Sequence, residues 1–147
     1  MAALYLDTSA LAKLYLREAE SAQILELAST SEQLTSSWLA YPETFAALAK
    51  ARRTRRASAK QVAQHQAQFQ ALWDGMIQVE PAPALLKRAA QFADGFELRG
   101  SDAVHLASAE ALSLALARAK EPIDVVFVSF DEQLNKAARL LGLEVTF

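Results

Sequence analysis

Apolar and polar positions in this chain switch repeatedly between a strand period and a helix period. Residues 3–6 form an unbroken apolar run that ends at Asp7, the pattern of a strand buried on both faces of a parallel sheet. Residues 123–129 form the strongest such run, and Asp131 follows two residues past Ser129. Between them the spacing predicts a short helix from about Ser9, with Ala10, Leu11, Leu14 and Tyr15 on one face. A second amphipathic helix follows over 18–28, then a short strand at 34–36. Ser36 or Ser37 can cap the next helix, which carries Trp38, Leu39, Phe45, Leu48 and Ala49. Pro42 lacks an N–H, so that helix either starts nearer Tyr41 or kinks there.

A turn at Ala57 and Ser58 leads to a helix over 59–73, a strand over 76–79 and a helix over 84–96. Ser101 can cap a long helix over 102–119, which is apolar on most sides and therefore central. The strand over 123–129, a helix over 132–141 ending at Gly142 and an edge strand over 144–147 complete the pattern. Five strands alternating with helices predict an α/β fold, layered around a mainly parallel central sheet of about five strands. At 147 residues, without repeat, linker or low-complexity segment, the chain reads as one domain spanning 1–147.

Composition narrows the chemistry. A 52% hydrophobic content argues against disorder, and the absence of cysteine excludes a disulfide framework and a thiolate zinc site. Without a signal-peptide pattern or an apolar run long enough to span a bilayer, the expectation is a soluble cytoplasmic protein, not a membrane one. The formal charge of −2 decides nothing, so local clustering matters more. Lys50, Arg52, Arg53, Arg55, Arg56 and Lys60 make the only dense basic run. It reads as a solvated helix face, as a rim for phosphates, or as a receiver for an acidic partner segment. No glycine-rich phosphate loop is present, which argues against nucleoside-triphosphate chemistry.

Four acids stand out by position. Asp7 and Asp131 follow strands, Glu43 lies near the start of a helix after a strand, and Asp102 opens a helix after Gly100 and Ser101. Ligands of open α/β sheets bind outside the carboxyl ends of the strands. Carboxylates gathered there repel one another unless a cation neutralises them, and oxygen-only donors suit Mg²⁺ or Mn²⁺. Each acid also has a structural reading: a turn for Asp7, a surface position for Glu43, a first-turn helix acid for Asp102, a helix cap for Asp131. His105, one turn after Asp102, has the place of a general base or ligand, but a lone His on an Ala- and Leu-rich helix reads first as a packed, hydrogen-bonded residue; His65 reads as a surface one. Trp38, Phe45, Phe69 and Trp73 read as helix-packing residues.

Over essentially its whole length the chain resembles the PIN-domain family, and within it the VapC-like toxin ribonucleases of bacterial toxin–antitoxin pairs. The resemblance rests on Leu4, Tyr5, Leu6, Asp7, Thr8 and Ser9, on Glu43, on residues 98–107 (Leu-Arg-Gly-Ser-Asp-Ala-Val-His-Leu-Ala) and on residues 127–134 (Phe-Val-Ser-Phe-Asp-Glu-Gln-Leu). It implies a three-layer α/β/α sandwich and a metal-dependent endoribonuclease. Asp7, Glu43, Asp102 and Asp131 would be the catalytic acids, with Asp7, Asp102 and Asp131 holding Mg²⁺ or Mn²⁺. Ser9 and Ser129 would orient the carboxylates, as metal ligands commonly require. It also implies an RNA substrate, a cognate antitoxin and a homodimer. In that setting Arg52, Arg53, Arg55, Arg56 and Arg99 become candidate RNA contacts. Two rivals share the pattern: a non-catalytic RNA- or protein-binding module on the same fold, and a phosphoryl-accepting receiver-type domain.

Overall fold

The structure is a computed structural model that describes residues 2–147. Its elements run β1 (Ala2–Leu6), α1 (Thr8–Lys13), α2 (Ser21–Thr30), β2 (Gln33–Ser37), α3 (Ala40–Arg53) and α4 (Ala59–Asp74). Then come β3 (Ile77–Val79), α5 (Pro83–Gly95), α6 (Gly100–Ala117), β4 (Asp124–Val128), α7 (Glu132–Leu140) and β5 (Glu144–Val145). The five strands form one sheet in the order β3-β2-β1-β4-β5, and every pairing is parallel. The order reverses at β1, where β4 rather than β2 begins the second half. Such switch points open a crevice at the carboxyl ends of the strands. A receiver-type domain of the common 2-1-3-4-5 order has a different topology.

Strand periodicity sorts the core into two clusters, one on each face of the sheet. Tyr5, Val125 and Phe127 face α5, α6 and α7, packing with Phe92, Leu106 and Leu134. Leu4, Leu6, Val126 and Val128 face the opposite way, packing with Leu11, Ile24, Phe69 and Trp73. The result is a three-layer α/β/α sandwich. Leu16, Leu48, Ala51 and Val62 form a smaller cluster between α1, α3 and α4. Tyr41, Phe45, Phe69 and Trp73 pack as an aromatic group, and Trp38 lies 5.2 Å from Trp73 at its partly exposed edge. No helix of the described residues is long and apolar enough to cross a membrane.

Several boundaries differ from the pattern reading. The second helix begins at Ser21 rather than Glu18, because Glu18 and Glu20 turn outward to pair with Lys13, and Glu20 adopts a left-handed conformation (φ 66°). Pro42 sits in the first turn of α3, where its missing N–H breaks no helical bond, so the helix starts at Ala40. Ser37 assists the entry by accepting from the Leu39 N–H at 3.1 Å, whereas Ser36 donates to the Leu6 carbonyl. Ser101 does not cap α6: the helix begins at Gly100, with Arg99 as its uncapped N-terminal residue. The last strand is only two residues long, with Phe147 packed on Phe130 instead of paired in the sheet.

Candidate active site

β1 and β4 end level with each other. Leu6 pairs with Val128, and the Asp7 N–H still donates to the Val128 carbonyl at 3.2 Å. That register puts Ser129 beside Asp7 although 122 residues separate them. Ser129 Oγ donates to Asp7 Oδ2 at 2.5 Å, and Ser9 Oγ donates to Asp7 Oδ1 at 2.6 Å. Each hydroxyl is itself fixed by a backbone donor: Phe130 N–H on Ser9 Oγ (3.2 Å) and Asp131 N–H on Ser129 Oγ (3.1 Å). Asp7 also caps α1 through the Ala10 N–H at 3.0 Å. The carboxylate is buried, 4% exposed, with all its neighbours set. Burial raises its pKa above the ordinary value of 3.8; a positive charge on His105 and hydrogen bonds from Ser129, Ser9 and Ala10 oppose that rise without cancelling it.

Glu43 reaches the same cleft from the first turn of α3. Thr8 Oγ1 donates to Glu43 Oε1 at 2.7 Å, and His105 Nε2 lies 3.0 Å from the same oxygen. His105 Nδ1 meets the Tyr5 hydroxyl at 2.9 Å, so the imidazole is held between a strand phenol and a helix carboxylate. A proton on Nε2 lets His105 donate to Glu43 in either charge state; Nδ1 faces the Tyr5 hydroxyl, accepting from it when the ring is neutral and donating to it when the ring is charged. His105 is thus packed and hydrogen-bonded, as expected, and it also lines the cleft. Burial pushes Glu43 upward. Hydrogen bonds from His105 and Thr8, with positive charge at His105 and Arg99, outweigh it and lower the pKa below the ordinary value.

Asp102 lies in the first turn of α6, where a carboxylate suits the positive end of the helix. Its Oδ2 is 2.8 Å from Arg99 Nε, and Arg99 reaches toward Asp131 Oδ2 at 3.8 Å. Asp131 caps α7, accepting from the Leu134 N–H at 2.9 Å through Oδ1 and leaving Oδ2 toward the cleft. The intervening Phe130 does not obstruct it; that ring packs at 4.5 Å, tilted, against Phe147 with the Lys13 ammonium above it. The structural reading of Asp131 as a cap is therefore realised together with its place in the cleft, and Asp7 is a helix cap rather than the start of a turn.

Asp7, Thr8, Ser9, Glu43, Arg99, Ser101, Asp102, His105 and Asp131 line one cleft of about 180 Å³. All four sequence-selected acids are in it. Its donors are carboxylates and hydroxyls, which suit a hard divalent cation. Among the described residues no three acidic or histidine side chains are grouped to enclose an ion, and Arg99 lies across Asp102 and Asp131. Donor type fits such a cation; for Asp102 to bind one, the exposed Arg99 side chain (78%) must swing aside.

The basic run is not part of this cleft. Arg52 and Arg53 end α3, about 15 Å along the helix from Glu43 at 1.5 Å per residue. Arg55 and Arg56 lie in the following turn, and Arg56 pairs with Glu18 at 3.1 Å. Thr8 and Tyr5 were not singled out by pattern. Thr8 looks like the second residue of a turn and Tyr5 like a strand residue, and no spacing rule links either to residue 43 or 105.

Residues 4–140 match the profile of the family described as PIN domain. The chain is 34% identical over 145 residues to Ribonuclease VapC45 of Mycobacterium tuberculosis, covering 99% of this chain and 95% of that relative. Its fold is similar to the crystal structure of PAE2754 from Pyrobaculum aerophilum: TM-score 0.68 at 21% identity, covering 98% of this chain and 89% of the other. It is also similar to VapBC2 from Rickettsia felis bound to a promoter DNA fragment: TM-score 0.64 at 12% identity, with 98% and 97% covered.

Proposed function

We propose that this chain, which belongs to the PIN-domain family, is a divalent-metal-dependent endoribonuclease and the toxin of a toxin–antitoxin pair. The observation that carries the reading is the single cleft at the switch point of the sheet, lined by acids drawn from four separate segments. A relative at 34% identity that is named a ribonuclease supports the reaction class. The toxin–antitoxin pairing draws support from the likeness to VapBC2. In this reading the protein is cytoplasmic, a single domain over 1–147, a homodimer, and held in check by an antitoxin protein.

Asp7, Asp102 and Asp131 would hold Mg²⁺ or Mn²⁺, with Glu43 beside them. When bound, the cation would supply a Lewis acid that offsets charge on the phosphodiester and lowers the pKa of a water. The chain's own residues do the rest. Ser9 and Ser129 hold both Asp7 oxygens in one orientation, so the carboxylate cannot rotate away from the cleft. Thr8 and His105 both hold Glu43 through one oxygen, Oε1, and its lowered pKa keeps it anionic at neutral pH and able to accept a proton from an attacking water. Arg99 faces the cleft mouth on a long exposed side chain; released from Asp102 it becomes a phosphate contact.

Asp102→Asn tests the reading most directly. Cleavage of a labelled RNA in Mn²⁺ should fall by more than about 100-fold, since even outer partners of metal ligands are worth ~10–100-fold. The far-ultraviolet circular dichroism should not change. Full-rate cleavage by Asp102→Asn, or wild-type cleavage undiminished in EDTA, would overturn it.

A further inference from the structure

A second polar cavity lies at the other end of α1 and α3 from the acids. It measures about 510 Å³, within the range of small-molecule pockets. Tyr15, Arg17, Arg56, Gln64 and His65 line it, together with the turn between α3 and α4. Among the described residues no acidic side chain lines it. Arg56 shares Glu18 with Lys13, while Arg17 forms no ion pair among the described residues. The Tyr15 and His65 rings stand 5.8 Å apart and tilted, and Phe69 braces Tyr15 from behind at 6.0 Å. The Tyr15 hydroxyl has no hydrogen-bond partner among the described residues, and burial pushes its pKa up to about 12, so it is a neutral donor. Cations, aromatic faces and a side-chain amide around one cavity form the set that holds a nucleotide: guanidinium for phosphate, ring for base, amide for base edge.

Its position relative to the acids matters equally. Asp7 caps the start of α1, and beyond Lys13 the chain keeps turning as far as Leu16, whose N–H donates to the Ala12 carbonyl at 2.9 Å. At a helical rise Tyr15 is therefore about 12 Å from Asp7. A few nucleotides of single strand bridge that distance at roughly 3.4 Å or more each. α1 and α3 lie side by side, joined at one end by the Thr8–Glu43 hydrogen bond and at the other by Leu16, Leu48 and Ala51.

We infer that this cavity binds one nucleotide of a single-stranded RNA, a few positions from the phosphate in the acidic cleft, with Arg17 and Arg56 on its phosphate and Tyr15 and His65 beside its base. The inference rests on the proposed ribonuclease reading for its substrate class. It makes the cavity, rather than the exposed arginine run alone, the origin of RNA affinity. The competing occupant, an acidic protein segment, would use the arginines but not the rings or the amide.

The experiment measures binding of a fluorescein-labelled oligoribonucleotide of about 12 nucleotides to the full chain in EDTA, by anisotropy at several salt concentrations. Arg17→Gln should weaken binding about 10-fold and flatten the salt dependence of log K by about 0.7, the loss of one single-strand phosphate contact. His65→Ala should weaken binding roughly 5- to 10-fold without changing that slope, because it removes a stacking surface and no ionic contact. Arg118→Gln, at the end of α6, should leave affinity unchanged. The inference is overturned if both cavity variants bind like wild type, or if wild type binds no RNA. An oligoglutamate peptide that binds as tightly as RNA and loses affinity only with Arg17→Gln would assign the cavity to an acidic segment and overturn it as well. Because binding is read without metal or turnover, the two readings fail separately. RNA binding that follows this pattern in a protein that never cleaves sinks the nuclease and leaves the subsite. Cleavage in a protein whose affinity ignores both variants does the reverse.

Discussion

The two ends of the α1–α3 pair carry opposite charge and are built in opposite ways. At the end next to the sheet, Asp7 is buried and locked by two hydroxyls and a backbone N–H, and Glu43 by a hydroxyl and an imidazole. At the far end, Arg17, Arg52, Arg53, Arg55 and Arg56 are exposed, and the one ion pair they form among the described residues, Arg56 with Glu18, is at the surface. The difference follows from what each charge must do. A carboxylate kept out of water resists ionisation, so its orientation and charge need support from several elements at once. A cation that meets a polyanion works from solvent, where flexibility costs little and affinity comes from counterion release. The acidic end is therefore sensitive to single atoms, and the basic end responds chiefly to salt.

Removing the most tightly held charge should produce the largest effect. Asp7→Asn should abolish RNA cleavage, by more than about 100-fold, while raising the midpoint of urea unfolding at neutral pH. The pH dependence has a definite sign. The folded state raises the Asp7 pKa, so it favours the protonated form, and charged Asp7 costs stability above that pKa. The advantage of Asn should be greatest near neutral pH and shrink as pH falls through the raised pKa toward the ordinary carboxylate value. Glu43 behaves oppositely: its lowered pKa contributes stability above the ordinary value that is lost as acid protonates it. An Asp7→Asn protein less stable than wild type at neutral pH would show that the lock outweighs the burial cost.

Cutting one strand of the lock comes next. Ser129→Ala should lower cleavage by roughly 10–100-fold, the usual worth of a group that orients a metal ligand. It removes the donor to Asp7 Oδ2 and leaves the Asp131 N–H without its acceptor. A steady-state comparison with Ser9→Ala, read as kcat at saturating RNA, would show whether the two hydroxyls are equivalent. Equal activity of Ser129→Ala and wild type would break the contrast between the two ends.

His105→Phe should be felt in stability as well as activity. It leaves the buried Tyr5 hydroxyl without its partner and Glu43 with only Thr8, a loss of about 1–3 kcal/mol in chemical denaturation. His105→Gln, which can keep one of the two bonds, should lose less. The smallest effect belongs to the basic end. Arg56→Ala breaks a half-exposed pair with Glu18 and should change stability by about 0–1 kcal/mol, less at high salt. A larger loss would mean that this end is also locked.

Much of the fold was legible because periodicity acts locally. The apolar runs at 3–6 and 123–129 identified β1 and β4, and the all-parallel five-stranded sandwich followed the predicted pattern. Boundaries missed where side chains act across segments: Glu18 and Glu20 leave the second helix for Lys13, and Phe147 leaves the last strand for Phe130. The four candidate acids were legible as residues after strands and at helix starts, and all four line the cleft. Thr8, Tyr5 and the cleft side of His105 were not, because their partners lie 35 to 100 residues away and no local pattern records them.

By itself, then, the sequence determined the alternation of strands and helices, the absence of thiol chemistry, and which acids stand at element ends. These are properties of neighbouring residues, set by side-chain period and by caps. Only the tertiary structure decided that β1 lies against β4 in a register that sets Ser129 on Asp7, that Pro42 leaves Glu43 aimed at His105, and that the arginine run opens at the far end of the helices from the acids. Those facts depend on which strand pairs with which and at what offset. Pairing is chosen by the burial of both sheet faces at once, a condition that no single segment carries.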